Sequence, residues 1–133
     1  MRVSLYDFEI FICFAVAAFY REIKKSVPYN LPEKFEIVAE KARNMLRKSL
    51  DSLMQLNIDL AKEICNDDDE VDYICNEIYD DIKLMMKEHP EDIDSICNLL
   101  VLPSRIERIA DHATNIAEDV IYMVNGEIIR HIH

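Results

Sequence analysis

The sequence predicts an all-α protein: one three-helix bundle repeat, with an additional N-terminal helix that either completes a four-helix bundle or packs on a second subunit. Three observations carry that prediction. The 133 residues include one glycine and four prolines, too little turn chemistry for a β-rich fold, so long helices joined by short connections fit best. Hydrophobic residues make up 50% of the chain, which excludes a disordered polymer and suffices for one domain with a real core. Apolar residues recur at helical spacing over long stretches.

Taken in order, Leu5 to about Ser26 is the first helix. Its run "IFICFAVAAF", Ile10 to Phe19, is bounded by Glu9 and by Arg21 and Glu22. Roughly 20 apolar residues are needed to cross a bilayer, so this run reads as a packing or dimerisation helix and no membrane insertion is expected. The prolines of "VPYNLPE" then break the helix, dividing residues 1–28 from a repeat over residues 31–133. A second helix is expected from near Pro32 to about Ile64, because Phe35, Val38, Ala39, Ala42, Met45, Leu46, Ser49, Leu50, Leu53 and Met54 share one face. "CNDDDEVD" reads as a stop and restart, with Asn66 or Asp67 as N-cap and carboxylates favoured by the unsatisfied N–H groups of the first turn. Val71, Ile74, Cys75, Ile78, Ile82 and Met85 trace the apolar face of the third helix, which closes at "KEHPED". A last helix spans about Asp92 to Val124, kinked or divided at Pro103, with Gly126 placed for a left-handed C-cap.

The charge balance, 26 acidic against 15 basic residues and a net −11, opposes nonspecific binding to nucleic acid or anionic membranes and favours cations or basic protein surfaces. Cys13, Cys65, Cys75 and Cys97 form no C-x-x-C pair, and buried free thiols in a cytoplasmic, reducing setting are expected.

The stretch that carries chemistry is "RIERIADHATNIAEDVIYMVNGE". At about 100° per residue, with Glu107 as zero, Asp111 falls near 40°, Asn115 near 80° and Glu118 near 20°, opposite the core positions Ile109, Ala113, Ile116, Ala117, Val120 and Val124. Asp68 and Asp72 repeat the i, i+4 carboxylate spacing on the preceding helix. Such oxygens can share a hard or borderline cation, with water completing the shell, wherever the two helices lie side by side. The competing reading is a solvated acidic face, with Arg105 and Arg108 as neutralising neighbours and the acids at Asp67 to Glu70 as caps. His112 points about 100° away from Asp111, and His131 and His133 lie at the chain end, so none is assigned as a ligand. A di-iron or dimanganese carboxylate enzyme requires E-x-x-H motifs. The residues three before His89, His112, His131 and His133 are Met86, Ile109, Ile128 and Arg130. With no glycine-rich phosphate cradle and no nucleophilic triad, the chain is expected not to be an enzyme.

"RIERIADHATNIAEDVIYMVNGEIIRH" resembles the C-terminal signature of the PhoU family, through Glu107, Arg108, Asp111, His112, Asn115, Ile116, Glu118, Tyr122, Gly126, Arg130 and His131. "NDDDEVDYICNEIYDDI" looks like the family's acidic D-x-x-x-D segment, and "NLPEKFEIVAEKARNMLRKSLDS" like the start of the same repeat. Resemblance covers residues 31–131. It implies a cytoplasmic regulator of phosphate transport and phosphate signalling, acting through a phosphate transporter subunit and, in bacteria, a sensor histidine kinase. It also implies divalent or trivalent metal ions, iron or zinc among them, held by Asp68, Asp72, Glu107 and Asp111, with Asn115 and Glu118 as further ligands. Family members typically carry two tandem three-helix repeats and this chain one, so a homodimer or higher homo-oligomer would restore the pair. A metal-independent dimerisation module remains the alternative reading.

Overall fold

The computed structural model describes residues 33–132, with side chains as far as Gly126, together with Ala18 and Arg21. The predicted helix Leu5–Ser26, and with it the domain assigned to residues 1–28, lies outside the described residues. Three long helices, α1 (Lys34–Gln55), α2 (Ile58–Glu88) and α4 (Val101–Ile132), each pack on the other two. A short linker holds 3-10 turns at Pro90–Asp92 and Asn98–Leu100 around the five-residue helix α3 (Ile93–Cys97).

The break between the first two helices falls earlier than the acidic run. Leu56 adopts φ 50°, ψ 45°, its N–H and that of Asn57 both bond back to the Ser52 carbonyl, and Asn57 Oδ1 then caps α2 by accepting from Leu60 N at 3.2 Å. One residue thus supplies a left-handed C-cap and the next an N-cap. The expected stop at Asn66 or Asp67 is corrected: those residues lie inside α2, whose buried Ala61, Ile64, Val71, Cys75, Ile78 and Ile82 continue through the acidic run without a change of face. The expected C-cap at Gly126 is corrected as well. Gly126 is helical, and Leu56 is the one described residue with positive φ. Pro103 divides nothing by itself, because it occupies the first turn of α4, where its missing N–H would have had no helical partner. The division comes just before it, in the 3-10 turn at Asn98–Leu100.

A single core runs through the bundle from Phe35, Val38 and Met45 of α1 to Ile64, Ile78 and Ile82 of α2 and Leu102, Ile106 and Val120 of α4. Ile96 and Leu99 of the linker plug one end. Small buried residues, Ala42, Ser49 and Ser52 on α1 and Ala110, Ala113 and Ala117 on α4, allow close helix approach. Ser49 and Ser52 donate to the Leu46 and Ser49 carbonyls at 2.6 and 2.8 Å, so neither hydroxyl is buried without a partner. Met54, assigned to the core by periodicity, is 72% exposed because α1 ends one residue later.

Lysines at every seventh residue of α1 fix the antiparallel register with α2. Lys34 reaches Asp81 at 3.1 Å and Glu77 at 3.4 Å, Lys41 reaches Glu70 at 2.7 Å, and Lys48 reaches Asp67 at 3.0 Å and Glu63 at 3.8 Å. This ladder neutralises one acidic edge of α2. The opposite acidic edge faces α4.

Candidate metal centre

Asp68 and Asp72 lie one turn apart on α2, and Glu107, Asp111 and Glu118 line the facing side of the antiparallel α4. The pairing is visible in the charges each group feels. Burial raises the Asp68 carboxyl above its ordinary range, and Asp72, Asp111, Asp69 and Glu118 raise it further. Asp72 is raised by burial and then by Asp111 and Asp69. Glu107, half-buried, is raised by burial and then by Asp72, Asp111 and Asp68. Among the described residues, the charges that raise these three groups are all carboxylates. Where α1 supplies lysines to one edge of α2, α4 supplies acids to the other, and carboxylates that repel one another along the groove between the two helices, with Asp68 and Glu107 half-buried and Asp72, Asp111 and Glu118 exposed, are held there at a cost.

Six residues were assigned to the site from sequence. The fold brings Asp68, Asp72, Glu107, Asp111 and Glu118 within electrostatic reach across the two helices. Asn115 is exposed on α4, and its place in the stripe rests on helical register. Periodicity overlooked Cys65, which stands one turn before Asp68 and is partly buried. Its thiol is pushed up by burial, then by Glu118 and Asp68. The i, i+3 spacing to Asp68 was the available signal. Cys75 sits at the other end, buried, donating weakly to the Pro103 carbonyl at 3.9 Å. Its pKa is pushed up to about 12, chiefly by burial and then by Glu107 and Asp72, which leaves the thiol inert. Cys97 is exposed, contrary to the expectation of buried thiols throughout, because it lies at the end of the short α3.

Two features bear on whether a cation suits this groove. Asp68 Oδ1 is buried and has no hydrogen-bond partner among the described residues, an acceptor that water no longer reaches and that none of their donors satisfies. The donors are carboxylate oxygens, chemistry that suits a hard or borderline cation. Against this, among the described residues no three His, Cys, Asp or Glu side chains stand in an array ready to hold a metal ion. The groove is therefore a set of facing carboxylate pairs rather than a finished cage, and water would have to complete any coordination shell. Among the described residues no helix is long and apolar enough to cross a membrane.

Comparison with known proteins places the chain. The PhoU domain profile matches residues 35–120, a span that contains α2, the linker and the carboxylates of both facing stripes. A phosphate-specific transport system accessory protein PhoU homolog from Clostridium acetobutylicum is 31% identical over 90 residues, 68% of this chain and 41% of the relative. PhoU homolog 2 of Thermotoga maritima is 31% identical over 121 residues, 91% of this chain and 52% of its own length. The Rhizobium meliloti homolog is 36% identical over 100 residues, 75% of this chain and 42% of the relative. The chain thus spans about half the length of these curated relatives. No solved structure matches.

Proposed function

The chain belongs to the PhoU family, and from that membership we propose that it is a non-enzymatic, metal-binding regulator of phosphate transport and phosphate signalling in the cytoplasm. The observation that carries the metal reading is the groove in which Asp68, Asp72 and Glu107 are each raised by burial and then by neighbouring carboxylates, with Asp68 Oδ1 without a partner among the described residues. A divalent or trivalent ion, iron or zinc among them, would replace that repulsion with shared coordination by Asp68, Asp72, Glu107 and Asp111. Asn115 and Glu118 extend the donor row. Binding of this kind stabilises the folded state by linkage. The ion then fixes α2 against α4 and sets the charge of a surface that docks with a partner, a phosphate transporter subunit or, in bacteria, a sensor histidine kinase.

The chain spans about half the length of the relatives named for phosphate-specific transport, and we read the working form as a homodimer or higher homo-oligomer that sets two such bundles together. Glu107→Ala with Asp111→Ala is expected to lower the metal content of freshly purified protein while helicity stays near that of the wild type. Unchanged metal content rejects the assigned ligands. The absence of a preformed three-ligand array among the described residues favours one alternative, a metal-independent helical interaction module. Under that reading, chelation leaves both thermal stability and self-association unaltered.

A further inference from the structure

We infer that the apolar run Ile10–Phe19 packs lengthwise into the groove between α1 and α4 of its own chain, over Leu50 and Ile116, and so completes a four-helix bundle. The inference rests neither on metal binding nor on the docking role proposed above.

A three-helix bundle has three outer grooves, and here they differ in chemistry. Between α1 and α2 runs the ladder of Lys34, Lys41 and Lys48 with its carboxylate partners. Between α2 and α4 stand the facing acids. An apolar helix laid on either would strip water from charges, at a large cost. The third groove is different. With Lys34 as zero, the α1 lysines stand at about 0° to −40° and Ala39, Arg43 and Leu50 at about 140° to 180°, across the core from them. On α4, Arg105, His112 and Ile116 stand at about 140° to 180° from Glu107, on the edge turned toward α1. Lys48 meets Asp67, and Glu118 bears on Cys65 and Asp68, so Lys48 and Glu118 share a height along α2. Leu50 and Ile116 therefore lie within about one turn of each other, on opposite walls of this groove.

Their burial points to a cover. Leu50 is only 7% exposed, yet it is not one of the residues that form the core among the three described helices, whereas Leu46, one turn earlier, is. Ile116 is half-buried and likewise stands apart from the apolar residues packed against that core. Both are shielded on a side that the described core does not supply.

The chain's own N-terminal segment has the length, the attachment and the face to supply it. The predicted helix Leu5–Ser26 has 22 residues, as α1 does, and each is about 33 Å long. The seven residues "VPYNLPE" join the two at the start of α1, and a reversal there lays Ile10–Phe19 antiparallel against about residues 41–50, where Leu46 and Leu50 lie. Of that segment the structure describes Ala18 and Arg21, both helical and exposed. On a helical wheel the sequence places Ile12, Val16, Phe19 and Ile23 about 130° to 190° from the direction those two share, an apolar stripe facing away from water. So short a tether gives the run an effective concentration in about the millimolar range, against which the run of a second copy would have to compete. A homodimer then meets through another surface.

Thiol cross-linking on the full chain tests the placement, with Cys97→Ser removing the exposed native thiol. In the antiparallel register Cys13 lies on the flank of the run, at the height of Ile116. A short bismaleimide should join Cys13 to the thiol introduced by Ile116→Cys at least about tenfold faster than to one introduced by Asn66→Cys, exposed on the outer face of α2. Peptide mapping of an equal mixture of light and isotopically heavy chains should place that link within one chain. Links between light and heavy peptides would make a second copy the occupant, and equal rates at the two positions, or no link at either, would leave the groove without the run; each result overturns the inference. Arg43→Cys, exposed on the α1 rim of the same groove, repeats the test where Ile116→Cys alters helicity. Val16→Asp should also lower the melting temperature by at least about 5 °C while Ala18→Asp leaves it near the wild-type value, and equal effects from the two would overturn the assigned face.

Discussion

At the scale of single residues, Asp68 and Leu56 each stand in an unfavourable setting, and each setting makes a measurable prediction. Leu56 holds φ 50° without the freedom of glycine. Left-handed backbone costs a residue with a Cβ about 1–2 kcal/mol, part of which glycine returns through its looser unfolded chain. Leu56→Gly is therefore expected to stabilise the protein by about 0.5–1 kcal/mol in urea denaturation. Asp68 is raised by burial and by its carboxylate neighbours, so its ionised form opposes folding. Asp68→Asn should raise the melting temperature of metal-free protein and lower metal affinity, two effects of opposite sign from one substitution. The pH dependence follows from the same groups. Raised pKa values at Asp68, Asp72 and Glu107 give a contribution fully present below their ordinary values, 3.8 for the aspartates and 4.5 for the glutamate, and lost as pH rises through the folded values. Glu70, lowered by its hydrogen bond to Lys41, works the other way: its contribution is present above 4.5 and lost as pH falls through the lower folded value. Metal-free protein should accordingly gain stability as pH falls from neutrality toward about 4.5. Saturating metal should flatten that gain, and a metal-free profile that declines over the same window would contradict the assignment.

At the scale of elements, α2 carries the argument, because its apolar face packs the core while its two acidic edges meet opposite fates. One edge is neutralised by the lysines of α1; the other is left facing the acids of α4. Ile78, fully buried at the middle of that packing, should cost about 2–5 kcal/mol when truncated to alanine. The helices themselves were legible in the sequence, since Phe35, Val38, Ala42 and Met45 or Val71, Cys75, Ile78 and Ile82 leave little choice of face. The boundary at Leu56 was not, because a leucine there gives no turn signal and only the fold forces it left-handed. The acidic run misled for a related reason: carboxylates favoured at a helix start are equally at home along an edge that an adjacent helix covers with lysines. Of the candidate site, the spacing of Asp68 with Asp72 and of Glu107 with Asp111 gave the shared faces. That these faces meet depended on the antiparallel register, which the local pattern does not encode, and Cys65 joined the row only through it.

At the scale of the whole molecule, a chain that spans about half the length of its curated relatives presents, among the described residues, a three-helix bundle with facing carboxylates between α2 and α4. Under the oligomeric reading, sedimentation at micromolar concentration should give twice the chain mass; a monomer throughout that range removes that reading. Chelation should lower the melting temperature if the groove holds its ion in the purified protein. The claim beneath these expectations is that one cation is shared across α2 and α4, and anomalous diffraction from protein purified without added metal tests it most directly. The account predicts scattering density between the two helices, flanked by Asp68 and Asp72 on one side and Glu107 and Asp111 on the other. Density confined to other parts of the molecule, or a metal-loaded crystal with none in that groove, would contradict it.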